Sequence, residues 1–395
     1  MVLLRDSTMK NSGPVNKCRV CGQNYFDETL LRYENMPAAA QYLANYESIG
    51  SDRGINLEVC QCSGCGLVQL SNNPVCYYRE VIRAAAFSEE MRDFRLGQFR
   101  GFINRFSLKG KKIIEVGSGR GEHLSLMQQC GADAYGLEHS EEAVAQCKKY
   151  KLKVSSGFVE SDSYRIDNAP FDAFYLLNYL EHLPDPNAVL RGIYNNVADN
   201  AIGIVEVPNF DMILRNKLFS EFISDHLFYF TRETLSATLG LNGFETIECN
   251  EIWYDYIISA IVRKREKLDL SNFNECKVRL KNELQEYVAR FKDKRVAIWG
   301  AGHQAFSIIS IINLSEKIKF VVDSALFKQG KYTPATHIPI VSPDELKSDT
   351  VDAVIVIAGG YSNEVATILR QKYSDKMHIS ILRDYGLEYI DNHET

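Results

Sequence analysis

The stretch Lys112-Ile-Ile-Glu-Val-Gly-Ser-Gly-Arg-Gly-Glu-His-Leu124 decides the fold. Apolar residues at 113, 114 and 116 read as a buried parallel strand, and Gly117, Gly119 and Gly121 turn that strand into a helix. Glycine suits such a turn because a ligand comes close to the backbone there and positive φ is open to it. Glu115 stands at the end of the strand, where a carboxylate accepts hydrogen bonds from an amino or cationic group. About twenty residues further on, Ala134-Tyr-Gly-Leu-Glu138 reads as the next strand, ending in an acid suited to ribose hydroxyls. Both features fit a cofactor that carries a nucleoside.

Spacing and charge choose between two such cofactors. A dinucleotide turn, G-x-G-x-x-G, aims a helix N-terminus at a pyrophosphate. Here the glycines run 117, 119, 121, between Glu115 and Glu122. Two carboxylates repel a pyrophosphate but attract a sulfonium and its α-amino group. The pattern resembles motif I of the class I S-adenosylmethionine (SAM) methyltransferases. Downstream, Phe171-Asp-Ala-Phe-Tyr-Leu-Leu-Asn178 and Ile202-Gly-Ile-Val-Glu-Val-Pro208 read as further strands with a helix between them. Alternating strands and helices predict an α/β fold, a doubly wound sheet with ligands outside the carboxyl ends of its strands. Gly117, Glu138 and Asn178 then share one edge. Glu181-His182, just beyond, is assigned to loop packing.

Composition narrows the function classes. Apolar residues make up 45% and charged residues 24%, as in a soluble globular protein. The net charge of −6 (45 basic, 51 acidic) argues against a nucleic-acid or membrane-surface binder. Neither a secretory signal nor a membrane-spanning run is apparent, so a cytoplasmic location is expected. Oligomeric state is left open.

Five of the ten cysteines fall between residues 18 and 65. Cys18-Arg-Val-Cys21-Gly and Cys62-Ser-Gly-Cys65-Gly are matched C-x2-C-G knuckles, which suit tetrahedral zinc in a closed structural site. Cys60 competes with Cys62 for one position, although only Cys62 reproduces the spacing. Residues 77–106 read as helical and amphipathic, with Tyr77 and Tyr78 at the join to the core. A charged connector helix is expected over roughly 263–292. Beyond it, Arg295-Val-Ala-Ile-Trp-Gly300-Ala-Gly302-His repeats the strand–turn–helix grammar without a full glycine fingerprint. The helix start after Gly302 is a candidate anion site. Three segments result: 1–85 zinc-binding, 86–265 SAM-dependent methyltransferase core, and 266–395 connector plus a second Rossmann-like unit.

In the loop before a helix capped by Thr231 lie Asp225 and His226, near the cofactor edge. Imidazole is a common general base at neutral pH. Neighbouring side chains diverge, so Asp225 is expected to touch substrate or backbone rather than to orient His226.

Together, the knuckles, the SAM core, Asp225-His-Leu-Phe-Tyr-Phe230 and the second unit with Val322-Asp-Ser-Ala-Leu-Phe-Lys-Gln-Gly-Lys-Tyr-Thr-Pro-Ala-Thr-His-Ile-Pro-Ile340 resemble the nucleotide-sugar C-3′-methyltransferases. The likeness covers nearly the whole chain. It implies a TDP- or GDP-linked 4-keto-6-deoxy sugar as partner, His226 as the base at C3, Asp225 as the acid before it, and one of Tyr77 or Tyr78 as helper. Two positions depart from the family: Asp225 stands where Glu is common, and Ile223 where a tyrosine is frequent. An O- or N-methyltransferase on a sugar or other small metabolite is the alternative.

Overall fold

The computed structural model describes residues 15–41, 43–79, 88–293, 295–373 and 376–390. Two compact units divide the chain, Met1–Lys267 and Leu268–Thr395.

In the first unit, β1 (Leu31–Met36), β2 (Ile55–Gln61) and β3 (Val68–Leu70) form an antiparallel meander carrying the cysteine knuckles. The core sheet follows: β4 (Lys112–Val116), β5 (Asp133–Glu138), β6 (Lys153–Ser156), β7 (Phe171–Leu177) and β8 (Val197–Pro208). A two-residue strand, β9 (Phe228–Tyr229), stands outside this sheet and pairs with β3, tying the meander to the core. Strands β10 (Phe244–Ile252) and β11 (Ile257–Lys264) complete a seven-stranded sheet of order β10-β11-β8-β7-β4-β5-β6. All its pairings are parallel except those of β11 with β8 and with β10. This is the class I SAM methyltransferase fold.

Period-two alternation explains why the central strands are apolar throughout. In β7, Phe174 and Leu176 enter one core while Ala173, Tyr175 and Leu177 enter the core on the opposite face. Covering these faces are α1 (Glu89–Arg105), α2 (Glu122–Gln129), α3 (Glu141–Lys149), α4 (Pro186–Asn196) and α6 (Arg232–Leu241), while α5 (Phe210–Asn216) packs on the β1–β3 meander. Helix α1 begins later than the spacing predicts. Ser88 caps it by accepting from the Met91 N–H, Tyr77–Arg79 form a turn, and residues 80–87 lie outside the described residues. Thr231 caps α6 as expected, in a capping box closed by Thr234.

The second unit opens with α7 (Ser271–Ala289), shorter than the predicted connector because Arg263 and Lys264 belong to β11. Its sheet is built from β12 (Val296–Trp299), β13 (Ile318–Val322), β14 (Ile340–Val341), β15 (Ala353–Val356), β16 (His378–Arg383) and β17 (Gly386–Ile390), with only β17 antiparallel. Helices α8 (His303–Ile312), α9 (Glu345–Ser348) and α10 (Ser362–Lys372) complete it. Gly300 is required by packing: a Cβ there would lie 2.2 Å from the Ile357 carbonyl oxygen. Asp323, after β13, accepts from the Ala301 and Ala325 N–H groups and pairs with Lys328. Among the described residues, no helix is long and apolar enough to cross a membrane.

Candidate active site and cysteine cluster

The turn after β4 is built for close approach. Gly117 and Gly119 have φ of 76° and 54°, in the left-handed region. A Cβ on Gly117 would lie 3.0 Å from the Tyr179 ring, whereas nothing stands within 4 Å of one on Gly119. Gly121 (φ 86°) opens α2. The Glu138 carboxylate closes the turn, accepting from the Gly119 N–H at 2.7 Å and the Ser140 N–H at 2.9 Å. Glu115 is fully buried; it accepts from the Tyr175 hydroxyl at 3.1 Å and lies 3.6 Å from His123 Nδ1. Asn178, at the end of β7, donates its N–H to the Glu206 carbonyl, while its buried Oδ1 has no partner. An open glycine backbone, a carboxylate at the β5 end and an orphaned amide oxygen on one sheet edge fit the donor and acceptor needs of an adenosyl cofactor.

The second group of residues gathers around the loop that leads into β9. Asp225 is buried and takes three hydrogen bonds, from the Tyr77 hydroxyl (2.7 Å), the Ala40 N–H (2.8 Å) and the Ser224 hydroxyl (3.2 Å). Burial and the Asp225 carboxylate push the Tyr77 phenol up to about 12, so it stays a donor. Tyr78 turns the other way. Its ring meets Phe158 edge-on, and Phe158 in turn meets His139, the residue after Glu138. Tyr78, Arg79, Phe158 and Leu183 line a cleft of about 380 Å³.

Glu181 and His182, which sequence reasoning assigns to loop packing, stand beside His226. The two imidazole centroids are 4.8 Å apart, and His182 Nδ1 bonds the Asp225 carbonyl at 2.8 Å. The Leu227 N–H donates to the Glu181 carbonyl, locking the loop after β7 to the loop before β9. Burial and the neighbouring His182 hold the His226 imidazole down at about 3, and burial pushes the Glu181 carboxyl up to about 8. At neutral pH the His226 ring is therefore unprotonated. The only sequence signal for this pair was an acid and a histidine placed just past the carboxyl end of a core strand. Ile223 donates its N–H to the Tyr229 hydroxyl at 3.0 Å.

Cys18, Cys21, Cys62 and Cys65 converge, with Cys21–Cys62 sulfurs 3.3 Å and Cys18–Cys65 sulfurs 3.7 Å apart. Sulfurs around a tetrahedral ion with ~2.3 Å bonds stand about 3.8 Å apart, so the donor set and spacing suit such a centre. Equivalent turns build both knuckles: the Gly22 N–H donates to the Cys18 carbonyl, and the Gly66 N–H to that of Cys62. Cys60 lies outside the cluster, on β2.

Comparison with known proteins agrees with this anatomy. Residues 87–249 match the family described as a methyltransferase domain, and residues 264–379 match the C-methyltransferase C-terminal domain. The C-methyltransferase NovU of Streptomyces niveus is 23% identical over 389 residues, covering 89% of this chain and 91% of its own. A ubiquinone biosynthesis O-methyltransferase of Pseudomonas entomophila is 36% identical, over only 24% of this chain and 42% of its own. Among solved structures, the magnesium protoporphyrin IX methyltransferase of Synechocystis PCC 6803 with bound SAH matches at a TM-score of 0.37 and 16% identity, covering 44% of this chain and 83% of its own. The two family matches, in this order, support a SAM-dependent methyltransferase with a C-methyltransferase C-terminal domain.

Proposed function

We propose that the enzyme methylates C3 of a nucleotide-linked 4-keto-6-deoxy sugar, with His226 as the base. The observation that carries this reading is the partly accessible His226 imidazole packed against His182, which lies in the loop that follows the end of β7 where Asn178 stands. SAM, when bound, supplies an electrophilic methyl group. A ketone at C4 acidifies the C3 hydrogen, and His226 accepts that proton, leaving an enolate as the methyl acceptor. Negative charge growing on the enolate raises the proton affinity of the nearby ring as transfer proceeds. Tyr77 and Ala40 hold Asp225, whose carbonyl in turn holds the His182 ring against His226. Cys18, Cys21, Cys62 and Cys65 would hold zinc, which would serve the fold, since four thiolates leave no coordination position open for chemistry. TDP and GDP remain the two nucleotides considered, and a cytoplasmic setting suits the free thiols.

The match to O-methyltransferases over part of the core favours one competing reading, transfer to a hydroxyl by the same base. Deuterium exchange separates the two. In D2O, without SAM, wild-type enzyme exchanges the C3 hydrogen of a TDP- or GDP-4-keto-6-deoxy sugar, and the product gains a carbon-bound methyl. His226→Asn retains S-adenosylhomocysteine binding by calorimetry and loses about 10²–10⁴-fold in turnover and exchange. Full turnover in that variant, or an oxygen-bound methyl in the product, refutes the reading.

A further inference from the structure

We propose that Glu181, His182 and His226 form a binding site for one divalent transition cation, distinct from the four-cysteine cluster. A carboxylate oxygen and one nitrogen from each imidazole all lie within 4.8 Å of one another. His182 Nε2 is 3.6 Å from Glu181 Oε1.

Three observations support a cation here rather than chance proximity. Glu181 is 1% exposed, and its Oε2 has no hydrogen-bond partner. A buried carboxylate oxygen without a donor is costly, and a cation placed against it removes that cost. His182 Nδ1 lies 2.8 Å from the Asp225 carbonyl oxygen, which only accepts. Nδ1 therefore carries the proton, and Nε2 presents its lone pair on the side of Glu181. Metal-binding histidines are commonly fixed in this way through their second nitrogen. Finally, the bond from the Leu227 N–H to the Glu181 carbonyl fixes the two loops against each other, so the ligands are brought together before any ion arrives.

Donor chemistry selects the ion. Two imidazoles and one carboxylate suit Zn²⁺, Co²⁺ or Fe²⁺, whereas Mg²⁺ and Ca²⁺ favour oxygen ligands. Three protein ligands leave at least one position for water or a substrate oxygen. Coordination through His226 occupies the lone pair needed for proton removal, so the loaded site is silent in catalysis. That last consequence alone rests on the reading of His226 as base.

The test uses the full chain with one zinc already in the cysteine cluster, titrated with Co²⁺ and followed by visible absorption. One further equivalent binds, giving d–d bands without thiolate charge transfer. Glu181→Gln and His182→Ala each weaken that equivalent about a hundredfold while keeping the first zinc, which certifies their fold around the knuckles. No further equivalent, bands of thiolate charge transfer alone, or undiminished binding in both variants overturns the site. Exchange of the C3 hydrogen in D2O is then measured with cobalt bound. Suppression supports both assignments; exchange that continues refutes the base and leaves the metal site standing.

Discussion

Among single residues, Asp225 illustrates how neighbours in sequence serve different partners. Its side chain faces Tyr77, Ala40 and Ser224, while its carbonyl faces His182. Of these partners Ser224 is the preceding residue, while Ala40, Tyr77 and His182 lie far away along the chain. Tyr77→Phe removes one donor from a buried carboxylate and loosens the carbonyl that fixes His182. Turnover is expected to fall about tenfold, equivalent to about 1.4 kcal/mol, with S-adenosylhomocysteine affinity unchanged in calorimetry. A matched loss of cofactor affinity would instead place Tyr77 at the cofactor.

For the secondary-structure elements, the second unit offers a titration with a definite sign. Burial pushes the Asp323 carboxyl up, but Lys328 and the Ala325 and Ala301 N–H groups outweigh it and hold the group below its ordinary 3.8. A carboxyl depressed in the folded state stabilises above the unfolded value, and that contribution is lost as pH falls through the folded one. Asp323→Asn should therefore lower denaturant stability at pH 7, and the difference from wild type should shrink as the pH drops below 3.8. A difference independent of pH would mean that the ionised form contributes nothing.

The same scale explains what is legible in the sequence. Strands β4, β5, β7 and β8 announce themselves by apolar runs closed by glycine, acid or asparagine, because burial on both faces leaves room for few polar residues besides Glu115 and Glu206. Matched knuckle spacing distinguishes Cys62 from Cys60, since each pair must turn its two sulfurs to one point. The link between β3 and β9 leaves no such trace: two residues are too few for a periodic pattern. Glu181 and His182 are hidden for a related reason, since they meet His226 through loops whose course depends on that link. The start of α1 is obscured because helical spacing continues upstream of its Ser88 cap.

At the scale of the molecule, two units with separate cores are joined through residues 265–270, which are exposed and without regular structure. They contain Arg265 and Lys267. Brief trypsin treatment is expected to cut there first and to yield two fragments that each retain cooperative unfolding in calorimetry. Diffuse cleavage across both units would contradict two independent cores. Stripping metal from the cysteine cluster with a strong chelator should abolish turnover along with the order of the β1–β3 meander, as measured by hydrogen exchange at Val68–Leu70. Turnover that outlasts that order would make the meander dispensable.

Strand β3 sends the Gln69 amide to the Cys18 sulfur at 3.2 Å, and its backbone grips Phe228 and Leu227, immediately after His226. The N-terminal portion is thus no detachable accessory. A chimera that grafts a relative's knuckles onto this enzyme will need to import residues 223–230 in the same cut.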